Sequence, residues 1–311
     1  MTQAKFLVLA ATLTSALTAS PASAQEEWTG LRSMGMGGAH RAIVTGNDAI
    51  YLNPGGMSQA KKYNIEGGYL YDFGHEAHAP GVSVVDSVTS PVAAGVSYNY
   101  ISGKRTIFAA DADGIATPRK VDRTGNIVHV AMSAPFGRTA AIGVAAKYMD
   151  LSYGGRSAIN SITIDAGFVM RPSPTVAFAV TGYGLTNTGS AEAPLSMGIG
   201  IAIGPPSTFQ LAADWVMDFS SGKYNESFAP PRGSGTRHHV AVGFEWLIAQ
   251  AFSVRAGYFH DRVTRISPDN AITFGLGYFS AKSKFGIQVA FQQRFLDTND
   301  RLIIAGFQFN I

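Results

Sequence analysis

Cysteine is absent from this 311-residue sequence, which excludes a disulfide scaffold and any thiolate metal site. Charge is scarce too: 14% of residues are charged, against roughly 25% in an ordinary soluble domain. Lys and Arg number 24 against 21 Asp and Glu, with no basic run, so the concentrated positive patch of a nucleic-acid binder is missing and no nucleic-acid partner is expected. Beyond the N-terminus no stretch reaches about 18 uninterrupted apolar residues, which excludes helical membrane spans. What the chain does have is apolar material, 46% of its residues, and 35 glycines. With so much to bury and so little charge, disorder is excluded as well.

Residues 1–24 read as an export signal. Lys5 stands in a short polar start, an Ala/Leu-rich apolar stretch runs from Phe6 to about Leu17, and Ala22-Ser23-Ala24 supplies a small-x-small pattern. Cleavage is expected before Gln25, leaving a mature chain of 25–311 exported across an inner membrane. A buried N-terminal helix fits less well, because Pro21 and the small residues suit a cleavage region.

From Tyr63 onward the sequence alternates with period two in segments of about ten residues, separated by turn residues. Ala140, Ile142, Val144, Ala146 and Tyr148 share one face, with Ala141, Gly143, Ala145 and Lys147 on the other. Val240, Val242, Phe244 and Trp246 oppose His239, Ala241, Gly243 and Glu245 in the same way, and Phe274, Leu276 and Tyr278 oppose Thr273, Gly275 and Gly277. One face is large and apolar; the other is small or carries a single charge. A soluble sandwich would turn a well-charged face to water. Here the pattern predicts a transmembrane antiparallel β-barrel, apolar side chains toward lipid and small or polar ones toward the lumen. Closure then satisfies every backbone polar group without a free edge, as lipid demands.

The segments number about fourteen: 63–73, 81–89, 92–103, 127–136, 139–152, 158–171, 175–187, 194–204, 208–220, 237–248, 251–262, 271–281, 285–295 and 301–311. Connections after even-numbered strands are short, whereas 104–126, 221–236 and 261–270, after odd-numbered strands, are longer. Bacterial barrels show this asymmetry between periplasmic turns and external loops. Aromatic residues gather toward strand ends, as lipid-interface girdles require: Tyr98, Tyr100, Trp215, Phe219 and Tyr258 at the outer rim, Trp246, Tyr278 and Phe309 at the inner. The alternating end, with Phe307, Phe309 and Ile311 on one face, looks like the C-terminal signal read by barrel-assembly machinery, with Ile311 in place of the usual aromatic.

Residues 25–62 do not alternate. They contain Leu31-Arg32-Ser33-Met34-Gly35-Met36-Gly37-Gly38-Ala39 and Gly46-Asn47-Asp48-Ala49-Ile50-Tyr51-Leu52-Asn53-Pro54-Gly55-Gly56-Met57. Gly35, Gly37 and Gly38 permit positive φ or close backbone approach, Met34 and Met36 fill irregular apolar gaps, and Asn53 before Pro54 favours extended geometry into a turn. No Lys-Ser/Thr follows and no βαβ pattern surrounds the run, so a phosphate-cradling loop is a poor match. The segment resembles the hatch of the FadL-type outer-membrane transporters and their shorter PorV-like relatives, where Gly-Met-Gly-Gly-Ala, an Asp-Ala pair (here Asp48-Ala49) and Asn-Pro-Ala-Gly precede a fourteen-stranded barrel. The resemblance implies a hatch at 25–62 that fills the lumen of a barrel formed by 63–311, in a Gram-negative outer membrane. Gly55-Gly56 stands where the family has Ala-Gly, and the chain is shorter than the fatty-acid transporters, which implies reduced ligand-binding loops.

Five lumen charges stand out. Lys147 and Asp165 fall on neighbouring strands at about one height; Glu245 and Arg255 do likewise across a short turn, with Asp214 on the strand before. Buried charges are tolerated when paired or wetted, and these are expected to pair with the hatch and with adjacent strands; the functional alternatives are a polar conduit or a latch on the hatch. His75-x-x-His78 and His238-His239 lack a carboxylate at ligand spacing, so neither a metal nor any cofactor is expected. Ser227, or His260 with Asp261, could be assembled on paper into a catalytic set, but no spacing selects them, and no catalytic residues are expected. Two functions remain. The resemblance implies a barrel in outer-membrane lipid that binds or passes hydrophobic small molecules. The likeness to the PorV-like relatives, with the short chain and reduced loops, implies instead a non-transporting subunit of an envelope-spanning secretion or gliding-motility machine, docking protein partners through loop 221–236.

Overall fold

The structure is a computed structural model that describes residues 28–110, 116–186, 193–219, 236–262, 269–295 and 300–311. The export signal, Ser227 and almost all of loop 221–236 lie outside the described residues. Among those described, fourteen strands form one closed barrel, each paired antiparallel with its sequence neighbours and the first paired with the last. They are β1 (Tyr63–Asp72), β2 (Ala77–Asp86), β3 (Ala93–Ala110), β4 (Ala116–Phe136), β5 (Ala140–Tyr153), β6 (Arg156–Ser173), β7 (Val176–Tyr183), β8 (Ser196–Ile203), β9 (Phe209–Asp218), β10 (Arg237–Ile248), β11 (Phe252–Arg262), β12 (Asp269–Ser280), β13 (Phe285–Arg294) and β14 (Arg301–Asn310).

The two faces follow the alternation. On β5, Ile142 and Val144 are about half exposed while Ala141 and Ala145 are buried; on β10, Val240 and Val242 flank a fully buried Ala241. The exposed members are almost all branched or aromatic, a belt that only a lipid solvent accommodates, since water-facing apolar patches of this extent are not tolerated on monomers. The belt is edged by rings: Phe252 packs at a tilt against Tyr278 and Phe285 against Phe309, both at centroid separations of 4.9 Å, at the end with short turns. Trp215 lies against His238 at the opposite end. The seam is continuous from Asn64↔Asn310 to Asp72↔Leu302, and the Ile311 N–H donates to the Tyr63 carbonyl at 2.8 Å.

The structure corrects two expected boundaries. Residues 104–110 and 116–126 are strand and not loop; β3 and β4 stay paired as far as Ala110↔Ala116, and β4 still pairs with β5 at Arg123↔Tyr153. Their polar composition suggests a loop, yet two of the cations find partners on neighbouring elements. Inward Arg105 lies 5.1 Å over the Tyr153 ring, and outward Lys104 donates to Glu76 at 2.7 Å. Beyond the lipid belt a strand needs no apolar face. Similarly β2 begins at Ala77 instead of 81, so His78 belongs to a strand. Pro80, without an N–H, reads as a break; it interrupts the ladder to β3 between His78 and Gly81 but leaves the ladder to β1 intact.

Before β1, three short elements occur: helices α1 (Leu31–Gly35) and α2 (Asp48–Leu52) and a 3-10 helix, Pro54–Gln59. None is long enough to be stable alone. Packing against the wall supplies the stability: α1 touches β11–β14, and the 3-10 helix touches β3–β6, on the other side of the ring.

Candidate functional site

The lumen accommodates a second layer of backbone because the wall is glycine where that layer touches it. A Cβ on Gly257 would stand 2.3 Å from the Met36 carbonyl carbon, one on Gly143 2.4 Å from that of Pro54, and one on Gly167 2.0 Å from Asn53 Oδ1. Around these contacts Met36, Ala39, Ala42 and Ile43 pack on a wall of Ala177, Ala179, Ala202, Ala212 and Ala241, and Val44, Ile50, Leu52 and Met57 pack against Val85, Ala93, Ala131 and Ala145. Met34 joins a third cluster with Trp28 and Leu31.

Two ionic anchors fix the segment to the wall. Glu245 on β10 stands directly opposite Arg255 on β11, whose Nε donates to Oε1 at 2.7 Å. The same carboxylate accepts Arg32 of α1 in a forked pair, Nε at 2.8 and 3.0 Å with Nη2 closing the fork, and Arg32 Nη2 also donates to Gln210 at 3.0 Å. The second anchor is Asp214 on β9. Its Oδ2 accepts three donors, the Arg41 Nη1 at 3.0 Å and the backbone N–H groups of His40 and Arg41 at 2.9 and 3.0 Å. Arg41 Nε donates to the Tyr183 hydroxyl at 2.8 Å, and that hydroxyl donates to the Leu52 carbonyl. Each carboxylate is at least nine-tenths buried, where isolated charge is costly and pairing with full hydrogen bonding is what makes it tolerable.

Within the segment Asp48 acts as a clasp. Oδ2 accepts the N–H of Arg32 at 3.1 Å, the N–H of Ser33 at 2.9 Å and the Ser33 hydroxyl at 2.9 Å. Gly30 (φ 100°) passes so close that a Cβ there would lie 2.1 Å from Asp48 Cγ, so both its backbone conformation and its lack of a side chain are required. Ser33 Oγ also contacts His40 Nδ1 at 2.7 Å. His40 is completely buried, and burial, helped by the positive charge of Arg32, holds its pKa well below the ordinary histidine value, so it is neutral. Asn53 spans the gap to the wall: Nδ2 donates to the carbonyls of Arg41 and Phe168 at 3.1 and 3.2 Å, and Oδ1 accepts the Gly55 N–H at 3.1 Å. Pro54 then starts the 3-10 helix, where its missing donor costs nothing.

The expected charges are thus placed, but not all as grouped. Lys147 stands opposite Thr163, and Asp165 opposite Ala145, so these two are diagonal neighbours and not level; Asp165 accepts the Gly184 N–H at 2.8 Å. Asp214 stands opposite Ala241, four residues along β10 from Glu245, and serves a separate anchor. Arg32, Arg41, Tyr183, Gln210 and Ser33 were not singled out in the sequence. The available signal was that Arg32 and Arg41 flank the glycine run as two cations in a segment facing lumen carboxylates.

The histidine pairs and the paper triad come apart. His75 Nδ1 bonds Asp72, His78 bonds Tyr69, and Trp215 donates to His238. His260 and Asp261 are consecutive on β11 and so face opposite sides; His260 meets Asn270, and Asp261 takes a forked pair from Arg237.

The segment separates two cavities. One, of about 190 Å³, lies between Trp28, Arg41, Tyr51 and Leu52 and the wall residues His129, Lys147, Thr163, Asp165, Asp218 and Asp261. The other, of about 330 Å³, is lined by Ile43, Thr45, Asn47 and Asp48 on one side and by Glu66, Arg171, Gln210, Ser253 and Gln288 on the other. Residues 41–52 contribute to both.

A fourteen-stranded barrel whose lumen holds a chain segment folded from its own N-terminus can be compared with solved structures. It is similar to CymD, a monoaromatic hydrocarbon channel, at TM-score 0.69 and 12% identity over 91% of this chain and 97% of that one. The Pseudomonas putida toluene transporter TodX gives 0.64 and 14%, covering 94% and 99%. A Pseudomonas aeruginosa FadL homologue gives 0.62 and 13%, covering 91% and 97%. The fold is that of a FadL-type channel. No protein-family model and no curated protein sequence matches the chain, so it is the arrangement of the FadL-type fold, and not residue identity, that carries the likeness.

Proposed function

We propose that this chain is an outer-membrane channel that binds and passes small hydrophobic molecules, with residues 28–62 as its hatch. The observation that carries the reading is the pair of cavities, about 190 and 330 Å³, held apart by a covalently attached segment inside a wall whose outer face is apolar. The solved structures of similar fold include a toluene transporter and a monoaromatic hydrocarbon channel, and an export signal at 1–24 suits delivery of the chain to barrel-assembly machinery. Outer-membrane lipid covers the belt.

In this reading the closed state is set by contacts that can exchange. Residues 41–52 stand between the cavities, and they are secured by the Arg41–Asp214 ion pair and the Asn53 bridge instead of a covalent or fully apolar seal. A solute entering the 190 Å³ cavity meets Tyr51 and Leu52; displacement of 41–52 joins that space to the 330 Å³ cavity on the other side of the segment. The wall stays still while a short loop moves, which is the division between rigid scaffold and mobile gate seen in lid-type devices.

The test is uptake of labelled toluene by cells with an intact lipopolysaccharide leaflet. Cells producing the chain take up the label faster than cells lacking it. Equal rates in the two strains overturn the reading. The alternative of an envelope-machine subunit, expected to dock partners through loop 221–236, has no support in the solved structures of similar fold, and the structure describes only the last residue of that loop.

A further inference from the structure

The 330 Å³ cavity carries cationic donors that nothing in the chain uses. Four cations line it, Arg32, Lys62, Arg171 and Arg255, with three carboxylates, Asp48, Glu66 and Glu245. Glu245 is taken by Arg32 and Arg255, and Asp48 by the donors of its clasp. Glu66 lies buried on β1, and the charge that acts on it most is that of Asp48. Arg171 and Lys62 are left without an acid, since neither forms an ion pair.

The unspent donors belong to groups that open space can reach. Arg171, half-buried on β6, makes one hydrogen bond, from Nη2 to the Ile43 carbonyl at 3.4 Å, which leaves Nη1. Lys62 is exposed and its ammonium has no partner, but its backbone is fixed: the N–H donates to Ser87 Oγ at 2.8 Å and the carbonyl accepts the Ser87 N–H at 3.0 Å. Arg32, with its side chain 24% exposed, spends Nε and Nη2 on Glu245 and Gln210 and keeps Nη1. Partial desolvation at the cavity, and then the positive charge of Arg32, lower the Lys62 pKa; the same charge acts on Arg171. Three like charges, from α1, from β6 and from the residue before β1, thus oppose the packing of the segment unless an anion sits among them. A carboxylate offers two oxygens to three cations, whereas a phosphate offers more strong acceptors and suits guanidinium geometry. The cavity has room for such an ion with several waters, each about 30 Å³.

We propose that the 330 Å³ cavity binds a phosphate-type oxyanion through Arg32, Lys62 and Arg171, and that the bound anion fastens residues 28–62 to the wall. Free phosphate and a phospholipid headgroup at the end with short turns share this chemistry. The site does not depend on what crosses the lumen, so toluene uptake decides the channel reading separately. The purified full-length chain, in a phosphate-free maltoside detergent, receives phosphate or chloride at equal ionic strength, and hydrogen exchange is read on peptides covering 31–44. With phosphate at about ten times the dissociation constant found by calorimetric titration, exchange slows about tenfold relative to chloride. Arg171→Gln and Lys62→Gln each abolish most of this slowing, whereas Lys282→Gln, exposed on a turn at the same end, keeps it. In vesicles of phosphatidylglycerol, added phosphate that still slows exchange identifies the free ion as the occupant, and added phosphate without effect identifies the headgroup. Absence of phosphate binding in detergent, or equal exchange in phosphate and chloride there, overturns the proposal, as does slowing that survives in both Arg171→Gln and Lys62→Gln.

Discussion

Replacing Asp214 with alanine removes the acceptor of three hydrogen bonds at 2.9–3.0 Å and leaves the Arg41 guanidinium, 10% exposed, without its carboxylate. Deleting one member of a buried ion pair costs about 3–5 kcal/mol, chiefly because the remaining charge is stranded. That cost falls on the attachment of residues 38–44 and not on the barrel, whose ladders do not involve the Asp214 side chain. At about 1.4 kcal/mol per factor of ten, local opening of this stretch rises by roughly two to nearly four powers of ten. Hydrogen exchange read by mass spectrometry on peptides covering 38–44 reports this directly, with peptides from β12 as an internal standard. Arg41→Ala combined with Asp214→Ala recovers part of the loss, since no unpaired charge is left, giving a coupling energy of about 0.5–3 kcal/mol. Exchange at 38–44 within twofold of the parent, or a coupling near zero, refutes the anchor.

Three further outcomes follow from the same geometry. Gly257→Val drives a side chain into the Met36 backbone, where even a Cβ would sit at 2.3 Å; overpacking of about 1–3 kcal/mol loosens the segment, seen as faster proteolysis within 28–62 while the barrel keeps its heat-modifiable gel mobility. Phe274→Arg places a cation in the belt between the levels of Tyr258 and Tyr278 and costs roughly 2–4 kcal/mol of folding stability in lipid, measured by urea titration in vesicles. His40 is held neutral with its pKa well below its ordinary value of 6.5, so the unfolded segment binds more protons than the packed one and stability is lost as pH falls below about 6.5 toward the packed-state value; His40→Asn flattens that dependence, read as hydrogen exchange of 33–41 against pH.

The barrel was legible because lipid and lumen impose opposite demands on successive residues, and Ile142-Gly143-Val144-Ala145 or Val240-Ala241-Val242 record both within three or four residues. The N-terminal segment was legible as something close-packed, since Gly35, Gly37 and Gly38 beside Met34 and Met36 suit little else. The ribbon formed by β3 and β4 was obscured because past the belt the lipid demand stops and Lys104, Arg105, Lys120 and Arg123 look like loop. Pro80 concealed the start of β2, because a lost donor matters to one neighbouring strand and not the other. The lumen carboxylates could be found but not their partners: Arg41 and Asp214 lie 173 residues apart, and Arg32 and Glu245 213. No local pattern records a contact across a closed ring.

The seam between the first and last strands also fixes how the contents are held. Residues 28–62 precede β1, yet they are held by β4–β6 on one side and β11–β14 on the other, and the join at Tyr63 and Ile311 completes the circle around them. A stretch of chain with polar anchors does not cross a lipid-bound wall; its way in and out is an end of the ring, and its covalent tether at Tyr63 keeps it at the end where Ile311 also lies.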